Sequence, residues 1–201
     1  MTVSDKDREG LMRPVMLMAI GIAAMSTGVF AQAGQAPAAA PTDPALESAL
    51  VAAPRQMKDG ATVIKWKADY TYDTLRKGTN RLVCFDSSGM PGQQPFSSEC
   101  TSVANLDRVA QNLKFEAEPD RDKRKAAIEA AEKGGTRAKP EFGSVWYHVR
   151  GPNKEQARPH TTIAVPGATA QSMGLPDNNK QGGIWIMDAG TLTAHLMIPG
   201  M

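Results

Sequence analysis

Histidine is the side chain best suited to chemistry near neutral pH, because an imidazole can carry a proton, accept one or hold a metal. The chain has three histidines, His148 in "SVWYHV", His160 opening "HTTIAV" and His195 in "TLTAHLMI". The last two lead similar apolar runs, "PHTTIAVPG" and "AHLMIPG", each closing on Pro and Gly. Read as β-strands, these segments alternate sides. His148 then lies beside Trp146, opposite Val145, Tyr147 and Val149. His160 lies with Thr162 and Ala164, and His195 with Thr193 and Met197. Every histidine falls on the less aliphatic face of its strand. Where such strands neighbour one another the imidazoles can meet, and three histidines suffice to hold a catalytic metal with an open position. His148, His160 and His195 are therefore candidate ligands for a divalent metal, although nothing else in the sequence calls for a cofactor.

The other chemistry-bearing residues point less sharply. Asp69, Asp73, Asp86, Asp177 and Asp188 flank strands or sit among turn residues, where capping is the expected role. Asp188 beside His195 would make an acid/base dyad across a hairpin. Trp66, Trp146 and Trp185 fall in predicted strands and belong to a core, unless Trp146 and Trp185 share a sheet face and form a ligand platform. His160, His195, Trp146 and Trp185 are thus the candidate binding residues. The chain has no G-x-S-x-G elbow, no H-E-x-x-H helix, no Walker loop and no dinucleotide fingerprint, so no catalytic residue is assigned.

The elements that must position these residues follow from periodicity and punctuation. "ATVIKWKADY" and "RLVCF" read as strands, with "TLRKGTN" as the turn between them. "DSSGMPGQQPFSSE" reads as an irregular loop held by the two cysteines. Apolar residues at Val103, Leu106, Val109, Ala110 and Leu113 give a helical stripe that should pack on a sheet. "PDRDKRKAAIEAAEKGG" reads as a second helix with acids at its start and Gly134 at its end. Its one large apolar residue is Ile128, and its mixed charges read as a solvated face rather than a phosphate-binding patch. "FGSVWYHVR", "HTTIAVP", "GGIWIMD" and "TLTAHLMIP" read as strands, the last two joined by a tight "AG" hairpin turn. The expectation is an α+β fold, an antiparallel sheet with a central helical segment and one disulfide.

Upstream, "VMLMAIGIAAMSTGVF" follows Arg13 and precedes "AQA". A basic residue, a short apolar core and an A-x-A site describe a secretory signal peptide over residues 1–33, cleaved after Ala33, with Met12 an alternative to Met1 as the start. The run is shorter than the ~20 residues of a membrane span, so no transmembrane segment is expected in the mature chain. Residues 34–60, rich in Ala and Pro, read as a linker within which Asp43 and Pro44 open one short helix. Residues 61–201 read as a single domain. In an oxidising compartment Cys84 and Cys100, the two cysteines present, pair as a disulfide. Lys and Arg number 23 against 21 Asp and Glu, which gives no general bias toward nucleic acid.

"ATVIKW", "LRKGTNRLVC", the Gly/Pro loop to a second Cys, "PH" opening a strand, "GLPDNNKQGGIWIM" and "AHLMIPG" together resemble a family of small secreted bacterial proteins of uncharacterised function. The resemblance spans roughly Ala61 to Pro199 and implies export but no activity. The expectation is a periplasmic or secreted protein that binds a small ligand or an envelope partner without catalysis. The alternatives are a metal-dependent or acid/base hydrolase using His160 and His195, and a structural envelope protein.

Overall fold

The computed structural model describes residues 43–199. The signal segment, its cleavage after Ala33 and the choice between Met1 and Met12 lie outside the described residues. Eight strands form one sheet: β1 (Thr62–Trp66), β2 (Tyr72–Arg76), β3 (Leu82–Asp86), β4 (Phe96–Ser102), β5 (Val145–Gly151), β6 (Arg158–Ala164), β7 (Trp185–Met187) and β8 (His195–Pro199), in the order β2-β1-β3-β4-β5-β6-β8-β7. All neighbours are antiparallel except β1 and β3, which run parallel because the chain turns out through β2 at the edge and crosses back. Among the described residues four α-helices accompany the sheet, α1 (Pro44–Ala49), α2 (Leu106–Glu116), α3 (Arg121–Lys133) and α4 (Ala170–Met173). The α+β fold with a helical segment between sheet halves and one disulfide is present, the sheet being mixed by that single parallel pair.

Alternation along the strands separates two cores. On one face Val63, Leu82, Cys84 and Cys100 pack with Ala49, Leu50 and Ala52, and Tyr147 and Val149 border them. Residues 43–60, read as the end of a linker, therefore belong to the domain: Asp43 caps α1 as expected, and the turn after it inserts into the core. On the other face Ile64, Trp66, Val83, Phe85 and Trp146 receive Val109 and Leu113 of α2. The stripe read from Val103 begins in a short 3-10 turn, Val103–Asn105, and becomes α-helix at Leu106. A smaller cluster of Val165, Ile186 and Ala194 lies beneath α4.

β4 is the main departure from the sequence reading, which placed Phe96–Glu99 in an irregular loop. "FSSECTS" lacks aliphatic residues, yet it occupies the middle of the sheet because its polar side chains are satisfied individually. Ser98 donates to the Ala49 carbonyl at 3.0 Å and accepts from Ala52 N at 3.1 Å. Ser97 accepts from the Ser87 hydroxyl at 2.9 Å, and Thr101 donates to the Val145 carbonyl at 3.2 Å. Cys84 and Cys100 stand directly opposite each other on β3 and β4 and form the disulfide.

α3 meets its sequence reading closely. Asp120 accepts from the backbone N–H groups of Asp122 and Lys123, Lys125 pairs with Glu129 one turn on, and the helix ends at Lys133 before Gly134. None of its residues is fully buried. At the other end of the sheet β7 and β8 pair antiparallel as expected, but the connection between them runs from Asp188 to Ala194 rather than through a two-residue turn. "TLTA" is spent on that loop: Asp188 adopts φ 53°, and its carbonyl accepts the Thr191 hydroxyl at 2.7 Å.

Candidate functional site

The helices α2 and α3 leave the sheet at the end of β4 and return at β5, and they roof over the strands carrying the histidines. Between roof and sheet is a cleft of about 410 Å³. Glu99, Trp146, His148, Arg150, His160, Thr162, Ala164, His195 and Met197 contribute from the strands, and Arg108, Val109, Asn112, Leu113, Phe115 and Glu116 from α2. Ile128 of α3, together with Arg137 and Pro140 from the segment beyond it, completes the opposite wall. The one large apolar residue of α3 thus faces the cleft rather than a core.

All three histidines line this cleft, on the side expected from period-two alternation. Register then decides how far they converge. His148 and His160 stand directly opposite on β5 and β6, with ring centroids 4.5 Å apart and planes within 11°. Trp146 stacks beyond His148 at 6.4 Å. His195 instead faces Ala164, which is four residues along β6 from His160 and so ~13 Å away in the strand direction. Its Nδ1 donates to the Thr193 carbonyl at 2.7 Å. The three rings share a cleft without meeting at one point, and among the described residues no group of three or more His, Cys, Asp or Glu side chains is placed to hold a metal ion.

Asp188 takes the turn role expected of it and is not paired with His195. Met187 is the residue opposite His195, and Asp188 lies exposed in the turn. The other aspartates serve turns and ion pairs, as Asp69 does by accepting both Thr71 N–H and its hydroxyl, and Asp73 by pairing with Lys67. Trp146 and Trp185 sit at the two ends of a cross-strand row through Thr162 and Met197. They share a face but are separated by two strands, so they form no continuous aromatic platform. Trp66 is buried edge-on against Phe85 and Tyr72.

The centre of the site is a residue that the sequence reading passed over. Glu99 is opposite His148 on the neighbouring strand and is only 5% exposed. Arg150, the next residue of β5 on the same face, donates from Nη2 to Glu99 Oε2. His148 Nδ1 lies 2.6 Å from the same oxygen, at ion-pair distance but out of line for a directed hydrogen bond. Burial pushes the Glu99 carboxyl up, but the Arg150 charge, then His148, outweigh it and hold the group at about 2. Gln93, from the loop between β3 and β4, donates to Glu116 at the rim. Gly92 allows that approach: at φ 77° it lies so close to the Glu116 carbonyl that a side chain would collide with it. Burial raises Glu116 above the usual carboxylate range.

His160 is pushed down from 6.5 to about 4, first by burial, then by His148 and Arg150. The unfolded chain therefore takes up this proton at a higher pH than the folded one does. Stability from this group is complete above about 6.5 and is lost as pH falls toward 4. The slope is at most about 1.4 kcal/mol per pH unit for one proton, and less because the His160 ring is only partly buried. Urea midpoints measured between pH 7.5 and 4 should fall in the wild type and fall less in His160→Gln.

Two further residues give the cleft its charge. Arg108 is 3% exposed and Arg137 5%. Arg108 donates to the Ala138 carbonyl at 2.8 Å and to the Thr193 hydroxyl at 2.9 Å. Arg137 lies over the Phe115 ring at 4.9 Å and donates to the side-chain oxygens of Gln111 and Asn112. Arg108 falls on the face of α2 opposite its apolar stripe and Arg137 lies beyond α3, so nothing in their sequence pattern marks either as buried. No family model, curated protein or solved structure matches the chain.

Proposed function

We propose that the domain binds a small organic molecule in the cleft between α2–α3 and the sheet, with no covalent step, and that it does so outside the cytoplasm. The observation that carries this reading is the cleft itself. At about 410 Å³ it falls within the range of small-molecule sites, and it combines an apolar lining of Val109, Leu113, Ile128, Trp146 and Met197 with a few polar groups held in place. Among the described residues no serine or cysteine lines it, and both cysteines are joined in the disulfide on the opposite face. The signal-like segment ending at Ala33 and the buried disulfide both support export.

A second reading, general-base hydrolysis, is favoured by one feature: His160 stays neutral at physiological pH inside the cleft. His195 is too far along the sheet to act with it on one bond, so His160 would activate a water alone. Metal dependence would need ligands beyond the histidine pair.

Filling the cleft separates binding from other roles. Ile128→Trp adds bulk from α3, whose residues contribute little to the core. A ligand at a hundred times its Kd adds about 2.7 kcal/mol of stability, roughly 5–10 °C in Tm for a domain of this size. A screen of small solutes should yield such shifts in the wild type and not in Ile128→Trp. Shifts of equal size in both proteins, or none in either, would contradict the cleft as the binding site. A turnover of ester substrates that disappears in His160→Gln would instead support hydrolysis.

A further inference from the structure

Resting on the cleft reading, we propose that its ligand is a small organic anion whose carboxylate or phosphate group is held by Arg108 and Arg137. A guanidinium removed from water needs a counter-charge or a full set of acceptors. Neither of these two has a counter-charge at ion-pair distance among the described residues, and Arg137 lacks a full set of acceptors. Their acceptors among the described residues are neutral: a backbone carbonyl, a hydroxyl and two side-chain amides. The Nε of Arg137 is buried with no acceptor at all.

The nearby acids are committed elsewhere. Glu99 is occupied by Arg150, and Glu116 accepts from Gln93. Glu132 lies near enough for its charge to act on both arginines, and Glu116 for its charge to act on Arg137, but neither reaches ion-pair distance; Glu132 instead accepts from the Thr193 hydroxyl at 3.1 Å, the hydroxyl that itself accepts from Arg108. Both arginines line the cleft and lie near enough for the Arg108 charge to lower Arg137. Phe115 and the amide acceptors fix the plane of Arg137, so its fork is oriented before a ligand arrives. Carboxylates and phosphates are the groups that accept two parallel N–H bonds from such a fork. The apolar side chains around the pair then suit the carbon body of the same molecule.

The test is calorimetric titration of the full domain with benzoate, phenyl phosphate and the neutral analogue benzamide. The expected result is that at least one anion binds ten or more times more tightly than benzamide. Arg137→Gln should remove that preference, Arg137→Lys should restore part of it, and Ile128→Trp should abolish binding of all three probes. Arg108→Gln should act as Arg137→Gln does; if it fails to fold, the Arg137 series carries the test. Added salt should weaken the anions and leave benzamide unchanged. Benzamide binding as tightly as the anions, with Arg137→Gln indifferent, would overturn the anion assignment while leaving the cleft intact. Absence of binding by every probe, or binding that Ile128→Trp does not disturb, would overturn the cleft reading and this proposal with it.

Discussion

Glu99→Ala should lower folding stability by about 3 kcal/mol or more, the largest effect expected of any single substitution at the site. Removing one partner of a buried ion pair leaves the other charge without compensation, at a typical loss of ~3–5 kcal/mol. Arg150 remains 29% exposed on its side chain, so water recovers part of that loss and the low end applies. Acid should produce the same loss in the wild type. The Glu99 carboxyl takes its proton near 4.5 in the unfolded chain but at about 2 in the fold. Its contribution is therefore complete above pH 5 and is lost as pH falls toward 2. Denaturation in urea across pH 2–6 checks both points: Glu99→Gln should be less stable at pH 6 and lack the acid-dependent fall attributable to this group. A Glu99→Ala protein as stable as the wild type would remove Glu99 from the centre of the network.

The second large effect lies on the opposite face. Cys84 and Cys100 are fully buried and close a loop of separation 16, for which loss of the cross-link costs about 3 kcal/mol in the chain-entropy account. Cys84→Ala with Cys100→Ala should lower Tm by roughly 6–12 °C. The cleft should survive, because Glu99 and Cys100 are consecutive residues that point to opposite faces of β4. Probe affinities measured well below the new Tm should be unchanged. A double variant that folds but no longer binds would mean that the disulfide shapes the cleft and not only the core beneath α1.

The local reach of sequence patterns explains what was legible. Period-two alternation placed all three histidines on one face, because each lies in a strand whose aliphatic residues fix its orientation. Caps placed the ends of α3, because Asp120 and Gly134 act on bonds within a few residues of themselves. Register was not legible: nothing in "HTTIAV" or "AHLMI" states that His195 faces Ala164 and not His160. β4 was missed because a strand covered on both faces usually reads as apolar, whereas "SSECTS" is made burial-compatible by partners far away in the chain, Ala49, Ala52, Val145 and Arg150. Glu99, Arg108 and Arg137 were overlooked for a related reason. A charged residue in a sequence reads as surface until its burial is known, and burial is settled by the tertiary fold. The tail of the apparent linker, 43–60, was misread because alanines bury well once a sheet is present to receive them.

The chain's three histidines all line the cleft, which makes the imidazoles a natural reporter of its occupancy. The most direct test of the central claim is the long-range ¹H–¹⁵N spectrum of the histidine rings during titration with benzoate and phenyl phosphate. Ligand in the cleft predicts saturable shifts of the His148 and His160 rings, with His195 following, all with the affinity measured by calorimetry and all lost in Ile128→Trp. Calorimetric binding with the imidazole signals unmoved would place the ligand elsewhere and contradict the account.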